Sequence, residues 1–268
     1  MKERLDILLV EKGFFDTREK AKRAIMAGNV IVNEKKIDKA GTLIKTDEEP
    51  VIRVKGDNCK YVSRGGLKLE KALTAFNMDF TDKVVLDIGA STGGFTDCAL
   101  QNGAKFVYSV DVGTNQLDWK LRNDPRVKSL ENKHIKDLTS EDLDNSKIDI
   151  MVMDVSFISI TKVFEHLKKF FNEDTKLMAL IKPQFEVGKE NIEKGGIVRD
   201  SKKHLMAIEM VVESAKQHNL QLKALDFSPI TGTKGNVEYI SIFTLGDKES
   251  SVNIEHVVNQ GKNLGGAV

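Results

Sequence analysis

Three charged residues stand where short apolar runs stop. Asp154 follows Ile148-Asp-Ile-Met-Val-Met153, Lys182 follows Leu177-Met-Ala-Leu-Ile181, and Glu238 opens the run Val237–Thr244 within Gly235-Asn-Val-Glu-Tyr239. A fourth, Asp111, ends the run Lys105–Val112. One charge at a strand end is commonplace and mostly structural, but charges at the same edge of several strands converge on one cleft. A lysine serves as a base only where burial or a second cation brings its proton affinity down towards neutrality, and nearby carboxylates then hold and tune it. A set of that kind can take the proton of a weakly acidic hydroxyl, given correct alignment, with neither metal nor covalent nucleophile.

A ligand site is readable in Val84-Val-Leu-Asp-Ile-Gly-Ala-Ser-Thr-Gly-Gly-Phe95, a strand, a small-residue turn and the opening of a helix. Glycines there let backbone approach a ligand closely. No Lys-Ser/Thr follows them, so this is not a phosphate-cradling loop, and Ala90 and Ser91 stand where a dinucleotide fold needs its second glycine. With Asp87 two residues before Gly89, the turn suits a nucleoside with a positive centre and no phosphates, such as S-adenosylmethionine. Tight strand–helix packing alone would also use glycines. Asp111, 22 residues beyond Gly89, falls where an acid takes a ribose hydroxyl pair.

The elements that must position these residues come from periodicity. The apolar runs Val84–Ile88, Lys105–Val112, Arg126–Leu130, Ile148–Val155, Lys176–Ile181, Gln221–Phe227 and Val237–Thr244 alternate with helical stretches. Alternation of this kind predicts an α/β fold with a doubly wound, mostly parallel sheet, whose ligands bind beyond the carboxyl ends of the strands. Ahead of it, Leu5, Leu8 and Leu9 recur at helical spacing with Gly13 as a helix end. Asp16 and Glu19 have capping-box spacing before a second helix bearing Ala21, Ala24 and Ile25. Gly28, a strand Asn29–Asn33, a turn Glu34-Lys35-Lys36 and a strand near Val51–Val54 complete a small α+β module. The expected division is 1–57 for this module, 58–63 for a polar connector and 64–268 for the larger domain. Trp119 is expected to pack in a helix, while Gln184–Glu186 and Gly195-Gly196 fall in a long loop of the kind that closes over substrates.

Bulk properties bound the rest. The 268 residues carry 41 basic and 40 acidic side chains, but residues 1–71 hold 17 Lys/Arg against 12 Asp/Glu and the remainder 24 against 28. A basic end on a mildly acidic body suggests a polyanion met at that end, although ordinary solvated faces produce similar asymmetry. Cys59 and Cys98 form no C-x-x-C pair, which excludes a disulfide framework and a cysteine zinc site and fits a reducing compartment. The five histidines are scattered, so no metal ligand is assigned. No secretory signal and no run of 18 apolar residues is present, and a cytoplasmic location is expected.

The N-terminal string, with Arg4-Leu-Asp6, Thr17-Arg18, Ala21, Ala24 and Gly28-x-Val30-x-Val-Asn33, resembles the small RNA-binding domain named after a small-subunit ribosomal protein and found in RNA-modifying enzymes. The resemblance implies RNA contact through Arg4, Arg18, Lys22, Arg23 and Lys35, with Arg64 added from the larger domain. Few aromatics lie nearby, so shape and backbone recognition are expected. The charged set itself looks like the lysine–aspartate–lysine–glutamate tetrad of FtsJ-like ribose 2′-O-methyltransferases.

The whole chain resembles the TlyA family, in which that small module precedes the methyltransferase domain. The carrying strings are Tyr61-Val-Ser-Arg-Gly-Gly-Leu-Lys68-Leu, Asp87-Ile-Gly-Ala-Ser-Thr-Gly-Gly-Phe-Thr-Asp97, Asp154-Val-Ser-Phe-Ile-Ser159, Ile181-Lys-Pro-Gln-Phe-Glu-Val-Gly188 and Gly235–Tyr239. The resemblance implies a tetrad of Lys68, Asp154, Lys182 and Glu238, with Lys182 as base, the carboxylates positioning the lysines, and Lys68 touching the substrate ribose. Lys71 is a rival for Lys68 on the same helix. It further implies that Gly89, Ala90, Ser91, Gly93, Gly94 and Phe95 line the methionine side of S-adenosylmethionine, with Asp111 at its ribose and, more loosely, His134 at its adenine. The implied substrate is cytidine in ribosomal RNA or ribosomal subunits: the large subunit, and the small one for longer members. The apolar tail positions Val252, Ile254 and Val257–Val258 look like the longer form's terminal helix. Two rivals are an RNA-binding assembly factor with a silent methyltransferase fold and a membrane-active haemolysin, the latter disfavoured by the absence of a span or a basic amphipathic helix.

Overall fold

A computed structural model of the chain describes residues 2–12, 14–15, 17–33, 35–46, 50, 52–54, 60–232, 235–246 and 251–265. It divides into two units, residues 1–59 and 60–268. The expected helix end at Gly13, the cap at Asp16, the first turn residue Glu34, the strand start at Val51 and the connector residues 56–59 lie outside the described residues.

In the smaller unit, β1 (Lys2–Arg4) leads into α1 (Leu5–Glu11), followed by α2 (Arg18–Met26), β2 (Val30–Val32), β3 (Lys35–Ile37), β4 (Leu43–Lys45) and β5 (Ile52–Val54). Leu5, Leu8 and Leu9 of α1 and Ala21 and Ile25 of α2 meet Val30, Val32 and Ile44 in one buried cluster. Thr17 caps α2, its hydroxyl accepting from the Lys20 amide at 3.4 Å. The predicted turn over residues 34–36 is corrected: Lys35–Ile37 is a strand antiparallel to β2, and the chain reverses at Asn33 in the left-handed region (φ 48°). Strands β1 and β4 pair antiparallel and were not foreseen, because Lys-Glu-Arg and Leu-Ile-Lys are too short to show a period.

In the larger unit, α3 (Gly65–Phe76) precedes β6 (Val84–Ile88), α4 (Gly94–Gln101), β7 (Phe106–Val110), α5 (Trp119–Arg122), β8 (Val127–Leu130), β9 (Ile150–Met153), α6 (Phe164–Leu167), β10 (Lys176–Ile181), α7 (Pro183–Glu186), α8 (Ser201–Gln217), β11 (Leu220–Phe227), β12 (Tyr239–Leu245) and α9 (Ile254–Gly265). The seven strands run in the order β11-β12-β10-β9-β6-β7-β8. The ladders from β10 to β8 are parallel, and β12 is antiparallel to both of its neighbours. That reversal matters for the site. The start of β12 lies at the edge where β6, β9 and β10 end, which carries Glu238 to the same side as Asp154 and Lys182.

The main apolar cluster joins Leu86, Met151, Ile181, Tyr239 and Phe243 of the sheet to Phe164 of α6 and Ile208 of α8. Gln184–Glu186, expected in a loop, instead forms the one-turn helix α7, with Pro183 at its first position. Trp119 does lie in a helix but is 75 % exposed, so the packing role expected for it is wrong. Residues 60–63, expected as connector, are tied to the larger unit: the Val62 amide donates to Asp97 Oδ2 at 2.7 Å and the Tyr61 hydroxyl to Glu70 Oε1 at 2.9 Å. The tail forms α9, which buries Val258 against the core. Among the described residues no helix is long and apolar enough to cross a membrane.

The buried Tyr61 ring sits where a side chain at Gly66 would go, with a Cβ built there 2.3–2.5 Å from ring and Cβ atoms. Gly66→Ala should therefore overpack the junction of residues 60–63 with α3 and cost about 1–3 kcal/mol, read as a lower urea midpoint for the larger unit.

Candidate active site

The strand edge holding the expected charges opens into a cleft of about 720 Å³. Its walls come from residues 63–65 and Lys68, the turn Gly89–Thr92 with Gly94 and Phe95, the exit of β9 (Asp154, Ser156, Phe157), the exit of β10 (Lys182, Gln184, Phe185), and Ile230–Gly232 with Asn236 and Glu238.

Four side chains form one unbroken ionic chain on its floor. Lys182 Nζ lies 2.5 Å from Asp154 Oδ1, Lys68 Nζ 3.3 Å from Asp154 Oδ2, and Lys68 Nζ 2.6 Å from Glu238 Oε2. Lys68, Lys182 and Glu238 are buried. Two cations and two anions cancel, so burial leaves no net charge uncompensated. Burial alone would lower the Lys68 pKa, but the Asp154 and Glu238 carboxylates outweigh it and raise it, so Lys68 stays an ammonium. Burial likewise pushes Asp154 up, and the two lysines overcome it to hold the carboxyl below its usual range. Lys182 also donates to the Val155 carbonyl at 2.9 Å and to Ser156 Oγ at 2.8 Å. Its ammonium thus has one carboxylate and two neutral partners, where Lys68 has two carboxylates. The rival Lys71 points elsewhere, to the Phe227 carbonyl at 2.6 Å, Asp226 Oδ2 at 2.9 Å and the Phe227 ring.

Each of these charges has its own local support. The exit of β9 is pinned by the buried Glu186, which accepts from Ser159 Oγ at 2.5 Å and the Ile160 amide at 3.1 Å. Gly232 passes so close to Glu238 that a Cβ there would stand 2.0 Å from Oε1. Asn236 is buried and fixes the loop after α7, accepting from the Val198 amide at 3.0 Å and donating to the Gly196 carbonyl at 2.9 Å.

The glycine turn has mixed motives. Gly89 (φ +80°) faces the Asp154 carbonyl, and a Cβ there would come within 2.8 Å of that oxygen. Gly94 is small because α3 packs on it, with Ser63 Oγ 2.3 Å and the Gly66 nitrogen 2.9 Å from a built Cβ. Gly93 (φ +93°) turns towards Leu117 and Leu121 and, with Asp111 and His134, lies outside the cleft walls. Asp111 accepts from the Ser91 amide at 2.8 Å and the Gly113 amide at 2.7 Å, fixing the turn while each oxygen keeps a further lone pair. His134 caps a short 3-10 turn, its Nδ1 accepting from the Lys136 amide at 3.1 Å. Asp87 is buried: Oδ2 accepts from Thr96 Oγ1 at 2.6 Å, and Oδ1 has no partner among the described residues.

Sequence reasoning passed over Phe157. It is 92 % exposed at the cleft wall, held in the left-handed region at φ +65°, with its ring 5.5 Å from that of Phe185. Holding a bulky residue there costs about 1–3 kcal/mol and is typical of functional positions. Gln184, expected only as part of a loop that closes over substrates, lines the cleft, and its buried Oε1 has no partner among the described residues. Of the residues expected to meet RNA, Arg64 is exposed at the cleft wall. In the smaller unit Arg4 and Arg18 bind Asp6, Lys22 pairs with Glu19 at 2.8 Å, and Arg23 and Lys35 are exposed.

Residues 61–244 match the FtsJ-like methyltransferase family and residues 3–49 the S4 domain. YqxC of Bacillus subtilis (strain 168), which bears an rRNA methyltransferase name, is 51 % identical over 89 % of this chain and 84 % of its own length. The 16S/23S rRNA (cytidine-2′-O)-methyltransferase TlyA of Mycobacterium tuberculosis is 39 % identical over 88 % of this chain and 87 % of its own. A solved structure from Streptococcus thermophilus that carries the hemolysin name superposes with a TM-score of 0.77 at 45 % identity, covering 98 % of this chain and 96 % of that one.

Burial raises the Asp87 pKa to about 7 against the opposing hydrogen bond from Thr96. The folded protein therefore binds a proton that the unfolded chain releases near pH 4, so this group's contribution is full below about pH 4 and is lost as pH rises to about 7. In thermal melts, Asp87→Asn should gain on the parent steadily between those limits and level off above them. A constant difference across that range would refute the assignment.

Proposed function

The chain belongs to the FtsJ-like methyltransferases, and within them to the TlyA/hemolysin A family. From that premise we propose that it methylates the ribose 2′-hydroxyl of cytidine in ribosomal RNA, with S-adenosylmethionine as donor and Lys182 as base. The observation that carries this reading is the ionic chain Lys182–Asp154–Lys68–Glu238 lying beside a glycine turn at the floor of one cleft.

The residues present suit the donor. Asp87 lines the cleft, and its Oδ1, unpartnered among the described residues, offers an acceptor to an ammonium. Ala90, Ser91, Gly94 and Phe95 would flank the methionine portion, and Asp111 the ribose. S-adenosylmethionine, when bound, supplies an electrophilic methyl group on a sulfonium centre.

The protein's own part is to align a hydroxyl and accept its proton. Lys182 is the better base of the two lysines because Lys68 is held as an ammonium by two carboxylates. When Lys182 loses a proton, the direction now taken by Ser156 Oγ becomes its lone pair. Ser156 is the only one of its three partners that is neither charged nor main chain, and it lies on the cleft wall. The 2′-hydroxyl would be received there and pass its proton to Nζ as the oxygen gains the methyl carbon. Lys68, still charged, would steady the ribose, with Asp154 and Glu238 setting both lysines. Phe157, exposed beside the cleft, offers a face on which an unstacked base can rest. The S4 domain would dock the RNA, with Arg4, Arg18, Lys22, Arg23 and Lys35 facing phosphates and Arg64 doing so at the cleft. Small-subunit methylation rests on the terminal helix alone.

Transfer of labelled methyl to unmethylated ribosomal subunits, followed by nuclease digestion, tests the reading. Label is expected in 2′-O-methylcytidine, and Lys182→Ala should cut the rate by about 10²–10⁴ while leaving donor affinity intact. Label in another nucleoside, or none despite donor binding, would overturn it. Phe157→Ala should raise KM for subunits roughly tenfold, in line with about 1–3 kcal/mol per stacked base, and leave donor affinity unchanged.

A further inference from the structure

Asp6 is a fully buried carboxylate of the small unit, and its partners are two half-exposed arginines. It stands in the first turn of α1. Arg4 is the residue just before that helix and Arg18 opens α2. Arg4 docks edge-on, Nε to Oδ1 at 3.0 Å and Nη2 to Oδ2 at 3.1 Å, and Arg18 Nε reaches Oδ2 at 2.8 Å. The Arg4 hydrogen bond is the main cause that draws the Asp6 pKa down to about 2, against the opposing effect of burial.

A guanidinium has five N–H groups in a fixed plane. Arg4 uses two on Asp6 and Arg18 one. Among the described residues the other three and four have no hydrogen-bond partner, although the side chains are only 44 % and 48 % exposed. The flat face of the Arg4 guanidinium lies against Gly41, where a built Cβ would come 3.5 Å from Nη2, 3.6 Å from Nη1 and 3.7 Å from Cζ. Two free arginines so close would repel each other and sweep many rotamers. Sharing one anion removes the repulsion and fixes both planes before any ligand arrives. An ion pair serving only the fold would gain most by enclosing its cations with the carboxylate. Here the anion is enclosed and the cations face outward.

We infer that Asp6 is a positioning residue for RNA, holding Arg4 and Arg18 as one rigid two-guanidinium clamp for the phosphate backbone. The inference rests on the ribosomal RNA reading above, and it makes a prediction opposite in sign to simple charge counting. Removing an acid from a polyanion-binding face should tighten binding, whereas removing this one weakens it.

The test uses the full chain and unmethylated large ribosomal subunits, with affinity measured over a salt series and donor affinity and circular dichroism followed in parallel. Asp6→Asn is expected to lose roughly tenfold in subunit affinity, as for a charge-assisted hydrogen bond, and to flatten the log–log salt slope by about one. Asp38→Asn, which removes an exposed acid of the same unit, should bind as well as the parent or better. Arg18→Lys keeps the charge but not the planar fork, and should lose most of the same tenfold. It also decides the matter should Asp6→Asn fail to fold. A folded Asp6→Asn that binds as tightly as the parent, or an Arg18→Lys with full affinity, overturns the clamp. Parent protein that shows no affinity for subunits overturns the ribosomal reading itself.

Discussion

The larger unit is organised around a constraint of charge: four ionised groups share one largely buried line, and none can be withdrawn alone. Asp154 touches both lysines and Lys68 touches both carboxylates, so each central member is doubly compensated. Loss of any one leaves a desolvated charge, which costs far more than an exposed pair ever contributes. The four come from α3 and from the ends of β9, β10 and β12, so the fold must bring four distant segments to one edge. The antiparallel β12 is what permits this. A seventh parallel strand would send the residue before Tyr239 to the opposite edge, and Glu238 could not reach Lys68.

Much of that edge was legible in the sequence, for an identifiable reason. Strand runs such as Ile150–Met153 and Leu177–Ile181 are buried throughout, so they read as unbroken apolar stretches with a charge, Asp154 or Lys182, just beyond. Lys68 was not legible by this route, because it sits on a helix, where Lys71 is equally plausible one turn further on. Only the third dimension separates them, sending Lys71 to the Asp226–Phe227 end of β11. Phe157 was invisible for another reason. Its significance lies in a left-handed backbone and an exposed ring, and neither leaves a trace in residue order. Trp119 misled by the reverse logic, since a large apolar residue in a helix normally packs and this one does not.

Three aspartates show how far environment, and not residue type, decides chemistry here. Asp87 is met by uncharged donors of Thr96, and burial raises its proton affinity to near neutrality. Asp154 is countered by two lysines and stays ionised. Asp6 is enclosed as well, yet it is held down at about 2, because two guanidinium groups meet it directly. Burial pushes all three upwards, and the direction of each shift is set by whether cations meet the carboxylate.

The same logic separates two uses of a buried acid. In the larger unit the carboxylates are bound to lysines that are themselves buried, so the ion chain is rigid and its exposed partner is the cleft. In the smaller unit the carboxylate is buried and its arginines are not, so rigidity is handed outward to groups whose remaining N–H have no partner among the described residues. Lysine suits the first task, because its ammonium can give up a proton and act as a base. Arginine suits the second, because it never does so near neutrality and its planar fork fits a phosphate. The choice of cation at each site is thus dictated by whether the work is to move a proton or to hold a charge.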